Sequence, residues 1–258
     1  MAINFPSKPE MQLSKAPVDE VICQVRFPLI FRINKEEPSE FQEEIRSEFP
    51  KVEIEQGYLF PFPSPGGREV SEEVQTKKTY RFRTMDEKTA VSLSSDFYAL
   101  LTTQYTHWND FSKHLKKVDD AIKKIYKPAY GTRIGLRFVN RITSNNTGLQ
   151  TSTEILQLIN SELTAYFQNE CWTDPLEMES RLLLSDGDAR LNLRTRHGKE
   201  KEGPPFFILD FDYFEEGELS LSNLVERCDA YHDVIYRAFR WCIPDESLNV
   251  FEPFSGES

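Results

Sequence analysis

The stretch TRIGLRFVNRI, residues 132–142, sets Ile134, Leu136, Phe138 and Ile142 on every second position but one. Successive side chains of a strand leave opposite faces of the sheet. The spacing therefore predicts a β-strand whose apolar face is core and whose other face carries Arg133, Arg137 and Arg141. Gly135 stands between two of these arginines, and a glycine inside a strand marks a bulge or a close backbone approach. The chain has a net charge of −11. Three aligned guanidinium groups in such a chain raise the question of what neutralises them.

A matching strand opens the chain at 19–27, DEVICQVRF, where Val21, Cys23, Val25 and Phe27 alternate with Ile22, Gln24 and Arg26. The endings QVRF (24–27) and GLRF (135–138) share a local theme. After the first strand, 38–50 reads as a short helix started by Pro38 and stopped by Pro50, with Phe41 and Ile45 four apart. Residues 52–60 read as a strand, and 61–78, rich in Pro, Gly and charge, as an exposed loop. A strand over 79–85 turns at Asp86-Glu87-Lys88 into 89–105, one strand or two broken near Asp96. Thr106 is placed to cap a helix over 107–126, whose Trp108, Phe111, Leu115, Val118, Ile122 and Ile125 recur at spacings of three and four.

The pattern then repeats. Residues 151–167 read as a capped amphipathic helix. Strands at 176–184 and 189–197 flank Asp-Gly, a strong hairpin signal, and a further strand follows at 205–215. A long helix over 220–242 turns Leu224, Cys228, Tyr231, Ile235 and Phe239 inward, and Pro244 ends it. Each half, 1–130 and 131–258, is thus strand, helix, three or four strands, long helix. The predicted class is α+β: two similar β-α-β(3–4)-α halves in one compact unit, with curved antiparallel sheet packed on long helices. That order resembles the half-repeats of TATA-binding-protein-like and helix-grip folds, an analogy of fold that carries no function.

A second ladder, Arg190, Asn192, Arg194 and Arg196, shares one face of the strand 189–197. A two-residue turn at Asp186-Gly187 would set Glu179 opposite Arg194, Glu177 opposite Arg196 and Arg181 facing Asn192. Asp210 and Asp212 come within reach of Arg190. Opposite-charge cross-strand pairs contribute roughly 0.2–1 kcal/mol each, so this ladder reads as a salt-bridged sheet face. The first ladder has fewer partners. If strand 132–142 lies beside 19–27, its polar neighbours are Glu20, Gln24 and Arg26, one carboxylate against four arginines. Two readings stand for Arg133, Arg137, Arg141 and Arg26: a grip on an anionic ligand, which guanidinium groups suit bidentately, or pairing with acidic groups from elsewhere in the fold.

Composition narrows the function classes. No apolar run approaches the length of about 18 residues that spans a membrane, and the first seventeen residues lack the apolar region of a signal peptide. The four cysteines, Cys23, Cys171, Cys228 and Cys242, are scattered without a CxxC pair, which predicts reduced thiols and a cytoplasmic location. The acidic balance disfavours general nucleic-acid binding. Lysines along 113–127 read as a solvated helix face. His107, His114, His197 and His232 have no metal-ligand spacing, and His232, beside the inward stripe of the last helix, reads as a packing residue. There is no GxGxxG, GxxxxGK[ST] or GxSxG motif. No cofactor and no metal site is expected.

The segments APVDEVICQVRF, YRFRTMDEKTAVSLSSDFYALLTTQYTHWNDF, RIGLRFVNRI and YHDVIYRAFRWCI together resemble a sporadically distributed prokaryotic family of about 260 residues. Tyr105, Trp108 and Phe111, followed by RIGLRFVNRI, are the most specific part of the likeness. The family's patchy distribution implies mobile genes of the kind linked to phage defence or toxin partners, and the resemblance implies no catalytic residue. The expectation is a non-enzymatic binding or regulatory protein, an accessory of a mobile defence-type system, that takes a protein partner or an anionic small molecule on its arginine-lined face. The rivals are a metal-dependent hydrolase or nuclease using Asp210 and Asp212, and a nucleic-acid-binding module.

Overall fold

The computed structural model describes residues 3–58, 76–167, 171, 176–199 and 203–254. In chain order its strands are β1 (Val18–Arg26), β2 (Lys51–Tyr58), β3 (Thr76–Arg83), β4 (Thr89–Ser94), β5 (Phe97–Thr102), β6 (Gly131–Thr143), β7 (Glu177–Asp186), β8 (Ala189–Lys199) and β9 (Pro205–Leu219). The helices are α1 (Phe31–Lys35), α2 (Ser39–Ile45), α3 (Trp108–Ile125), α4 (Ser144–Thr147), α5 (Ser152–Gln157), α6 (Ser161–Thr164) and α7 (Leu224–Cys242). The nine strands form one antiparallel sheet in the order β2-β3-β4-β5-β1-β6-β9-β8-β7. The class is α+β.

The two strands singled out by their shared theme are neighbours at the centre of this sheet: β1 pairs antiparallel with β6, Cys23 opposite Leu136 and Val25 opposite Ile134. Period-2 alternation holds on both. Val21, Cys23, Val25, Ile134, Leu136, Phe138 and Ile142 are buried, and the helices pack over this inward face. Helix α3 buries Trp108, Phe111, Leu115, Val118 and Ile122, and α7 buries Leu224, Cys228, Tyr231, Ile235 and Phe239, as their three-and-four spacing requires. Tyr98 of β5 donates its hydroxyl to Asp119 of α3 at 2.8 Å, so a buried aspartate fixes helix to sheet. The lysine face of α3 is laced with ion pairs, among them Lys116–Asp120, Lys117–Glu48 and Lys124–Glu44.

Several local expectations are corrected. Residues 151–167 do not form one helix but break into α5, α6 and a 3-10 turn at Ala165–Phe167. Asn160 makes the break: its backbone N–H donates to the Cys242 carbonyl at 2.8 Å and its Nδ2 to the Trp241 carbonyl at 3.1 Å, while its Oδ1 accepts from the Glu162 N–H. It thus satisfies the end of α7 and the start of α6 together, groups that a helix leaves orphaned. The Thr151–Glu154 capping box does hold the start of α5. Thr106 is not the cap of α3. His107 occupies that position, and the Thr106 hydroxyl instead reaches Asp110. Helix α1, with Ile33 buried, is too short for periodicity to have shown it. Of the two readings offered for 89–105, the second holds: two strands parted at Ser95 and Asp96. The loop expected over 61–78 gives way to β3 from Thr76, and its residues 61–75 lie outside the described residues.

The hairpin turn is centred on Gly187 and Asp188, with Asp186 opposite Ala189. Gly187 has φ +61°, the conformation that favours glycine at the first central position of a two-residue hairpin turn. The register therefore slides by two residues from the expected one. Glu179 faces Arg196, Glu177 faces Gly198 and Arg181 faces Arg194.

Candidate functional site

The outward face of the sheet, opposite the helices, carries the arginines. From β6 it receives Arg133, Gly135, Arg137, Val139 and Arg141. From β9 it receives Phe206, Ile208, Asp210, Asp212, Phe214 and Glu216, by the register that sets Arg137 opposite Asp212 and Arg141 opposite Ile208. From β8 come Arg190, Asn192, Arg194 and Arg196. Strand β9 thus lies between the two ladders, and its Asp210 and Asp212 serve the first.

Arg137 makes a two-point pair with Asp210, Nε to Oδ1 at 2.7 Å and Nη2 to Oδ2 at 2.8 Å. Arg133 places Nη2 at 2.9 Å from both oxygens of Asp212 and lies over the Phe214 ring, 4.5 Å from its centroid. The expectation that Glu20 is the principal carboxylate beside this ladder is therefore corrected. So is the assignment of Asp210 and Asp212 to Arg190, which instead reaches Glu216 at 3.1 Å. Charge-assisted two-point pairs of this kind are among the stronger hydrogen bonds. Asp210 is 7% exposed, so its carboxylate needs the partner it has. Donating to the Asp210 carboxylate holds the Arg137 guanidinium above its ordinary pKa. Glu20 is raised above the ordinary carboxylate range, first by burial, with Arg137 opposing and Asp19 and Asp210 adding.

The other two arginines are placed differently. Arg26 stands opposite Arg133 on β1 and donates Nε–H to Gln24 Oε1 at 3.0 Å. Arg141 lies over Phe206, 4.6 Å from the ring centroid, and lines a hollow of about 230 Å³ with Asp19, Asn145, Asn146 and Pro204. In the second ladder Arg196 meets Glu177 and Glu179, and Arg181 donates to Asn192 Oδ1 at 2.8 Å. Arg133 and Arg141 are eight residues apart on one strand, roughly 26 Å at the usual rise. A single small anion does not span that distance, whereas a macromolecular surface does.

The Asp210–Asp212 couple is committed to guanidinium groups, which leaves it poorly suited to bind a cation or abstract a proton. Among the described residues no group of three or more His, Cys, Asp or Glu side chains is placed to hold a metal ion. The outward face of β6, β7 and β8 presents seven arginines (Arg133, Arg137, Arg141, Arg181, Arg190, Arg194 and Arg196). Five carboxylates of β7 and β9 oppose them (Glu177, Glu179, Asp210, Asp212 and Glu216). Among the described residues of these four strands, arginine on this face thus outnumbers carboxylate by seven to five. The aromatic supports Phe206 and Phe214 were missed in the sequence; their even-numbered parity with Asp210 and Asp212 in PFFILDFDYFE was the available signal. No helix among the described residues is long and apolar enough to cross a membrane. No protein-family model and no curated protein matches the chain.

Proposed function

We propose that the chain is a non-enzymatic binding or regulatory protein that docks the acidic surface of a protein partner on the arginine-bearing outward face of its sheet. The observation that carries this is the seven-to-five surplus of arginine over carboxylate on strands β6–β9, spread over a length that suits a surface rather than a small ion. Pairing to Asp210 and Asp212 does not remove the guanidinium groups from use: it preorganises them, which lowers the ordering cost of association. Complementary charge at such a face chiefly raises association rate and selectivity.

We also read the two halves, 1–130 and 131–258, as duplicates of one β-α-β(3–4)-α unit in a TATA-binding-protein-like arrangement. What supports this is the strand order outward from the centre, β1-β5-β4-β3-β2 on one side and β6-β9-β8-β7 on the other, the first half carrying one strand more. A long helix follows the last strand of each half. With the family resemblance, the proposal extends to a cytoplasmic accessory of a mobile defence-type system.

Native mass spectrometry of protein purified gently from its own host tests the reading. A co-purifying acidic protein, released by salt and lost on Arg194→Glu with Arg141→Glu, is the expected result. A monomer that elutes alone at low salt, or a bound nucleic acid, overturns it.

A further inference from the structure

On the opposite side of the sheet from the arginines lies a cavity of about 430 Å³, within the usual range for small-molecule sites. Its walls come from distant parts of the chain: Phe138 and Asn140 from the inward face of β6, Tyr105 from the approach to α3, and His232, Tyr236 and Phe239 from α7. Residues 10–14 pass over it as a strap. The strap is tied to α7, since the Met11 N–H donates to the Tyr236 hydroxyl and that hydroxyl and Arg240 Nη1 both donate to the Pro9 carbonyl. It is tied on its other side to the C-terminal segment, Ser14 N–H donating to the Glu252 carbonyl and Phe254 N–H to the Gln12 carbonyl.

The wall surfaces are aromatic and braced. His232 stacks on Trp108 with centroids 4.6 Å apart and planes 12° apart, and Tyr105 meets Phe138 edge-on at 5.3 Å. Asn140 is 3% exposed. Its Nδ2 donates to the Leu209 carbonyl at 3.3 Å, and its Oδ1 accepts from no described residue. A buried amide with an unused acceptor, set among rings, is oriented for a ligand that donates a hydrogen bond. Among the described lining residues Glu10 is the one acidic group and no Lys or Arg side chain takes part, so no guanidinium or ammonium group is there to hold a phosphate or carboxylate.

We propose that this cavity binds a planar, uncharged heteroaromatic molecule of the nucleobase or nucleoside class, its ring against Phe138 and Tyr105 and its donor edge toward Asn140. The site is separate from the partner face and does not depend on it. Calorimetry of the full chain with adenosine, guanosine, cytidine and uridine, each to 1 mM (on the order of the weakest affinity worth assigning), tests it. At least one nucleoside is expected to bind and to shift the indole N–H resonance of Trp108. Its 5′-monophosphate is expected to bind at least about tenfold more weakly, equivalent to 1.4 kcal/mol. Asn140→Leu is expected to lose binding by a similar factor. Should that variant fail to fold, Met11→Trp, on the strap, is expected to block the cavity and abolish the Trp108 shift. Absence of binding by all four nucleosides, a monophosphate that binds as tightly as its nucleoside, or undiminished binding by a folded variant overturns the proposal.

Discussion

Arg133 lies folded across Gly135: a Cβ built on the glycine would stand 2.5 Å from Nη1 and 3.0 Å from Cζ of the arginine. The missing side chain lets the guanidinium run along the strand, rest on Phe214 and reach Asp212. Gly135→Ala is therefore expected to displace Arg133 and to destabilise the fold by about 1.5–3 kcal/mol, the scale of a lost hydrogen bond to a charged group. In an Arg133→Ala background the same substitution is expected to stabilise by about 0.5–1 kcal/mol, because alanine loses less entropy than glycine in a strand. Urea melts of the four proteins decide the matter, and additive effects would show that Gly135 serves some other contact.

Arg137 reaches Asp210 diagonally although Asp212 is its direct register partner. The two ion pairs are thus offset along the ladder, and Asp212 is left to Arg133. Asp210→Asn keeps the shape but removes the charge, and a cost of about 1–3 kcal/mol is expected. Arg137→Met with Asp210→Leu is expected to cost less than the sum of the two single changes, since neither then leaves a buried charge without its partner. Chemical denaturation of the cycle gives the coupling. A metal-dependent hydrolytic activity abolished by Asp210→Asn, with stability unchanged, would restore the rival enzymatic reading.

Local pattern reached far into this fold and stopped where distant segments meet. The inward faces of β1, β6, α3 and α7 were readable because burial imposes a period of 2 or 3.6 on residues close in sequence. The Asp186-Gly187 signal located the hairpin, and its slide by two residues changed every partner while keeping every face, since strand parity repeats at two. Which strand lies between the arginine ladders was not readable. The β6–β9 pairing joins Arg137 to residues more than seventy positions away, and no local spacing encodes it. The same holds for Asn160, whose helix-breaking bonds run to Trp241 and Cys242, and for the cavity gathered from 10–14, Tyr105, Asn140 and His232.

The cysteines make a prediction of reactivity. Cys171 is exposed, whereas Cys23, Cys228 and Cys242 are buried. The Sγ atoms of Cys23 on β1 and Cys228 on α7 lie 3.6 Å apart as thiols. The hydrogen bond between Cys228 and Cys23, with burial, pushes the Cys228 thiol up, and burial alone pushes Cys242 up. Thiolate is the reactive form, so an aromatic disulfide reagent is expected to titrate one thiol rapidly in the folded protein and three more on unfolding. Fast native reaction of a second thiol would show that α7 separates from β1 more readily than its packing implies.

His232 gives the fold a pH dependence whose sign follows from its place. Burial lowers its pKa from the ordinary value, against the opposing pull of Glu10, Asp229 and Asp233. The folded state therefore prefers neutral imidazole, stacked on Trp108 and in contact with the Tyr105 hydroxyl at 3.4 Å. A group held neutral in this way contributes its full stability above the unfolded pKa of about 6.5. It loses that contribution as pH falls through this value and on through the depressed folded one, because the unfolded chain then binds the additional proton. The stability difference between the native chain and His232→Gln is expected to be level above pH ~7 and to shift against the native chain on acidification. Thermal or urea unfolding of both proteins at a series of pH values measures it. A difference that moved toward the native chain at low pH would mean that Glu10, Asp229 and Asp233 outweigh burial and that the ring is charged in the fold.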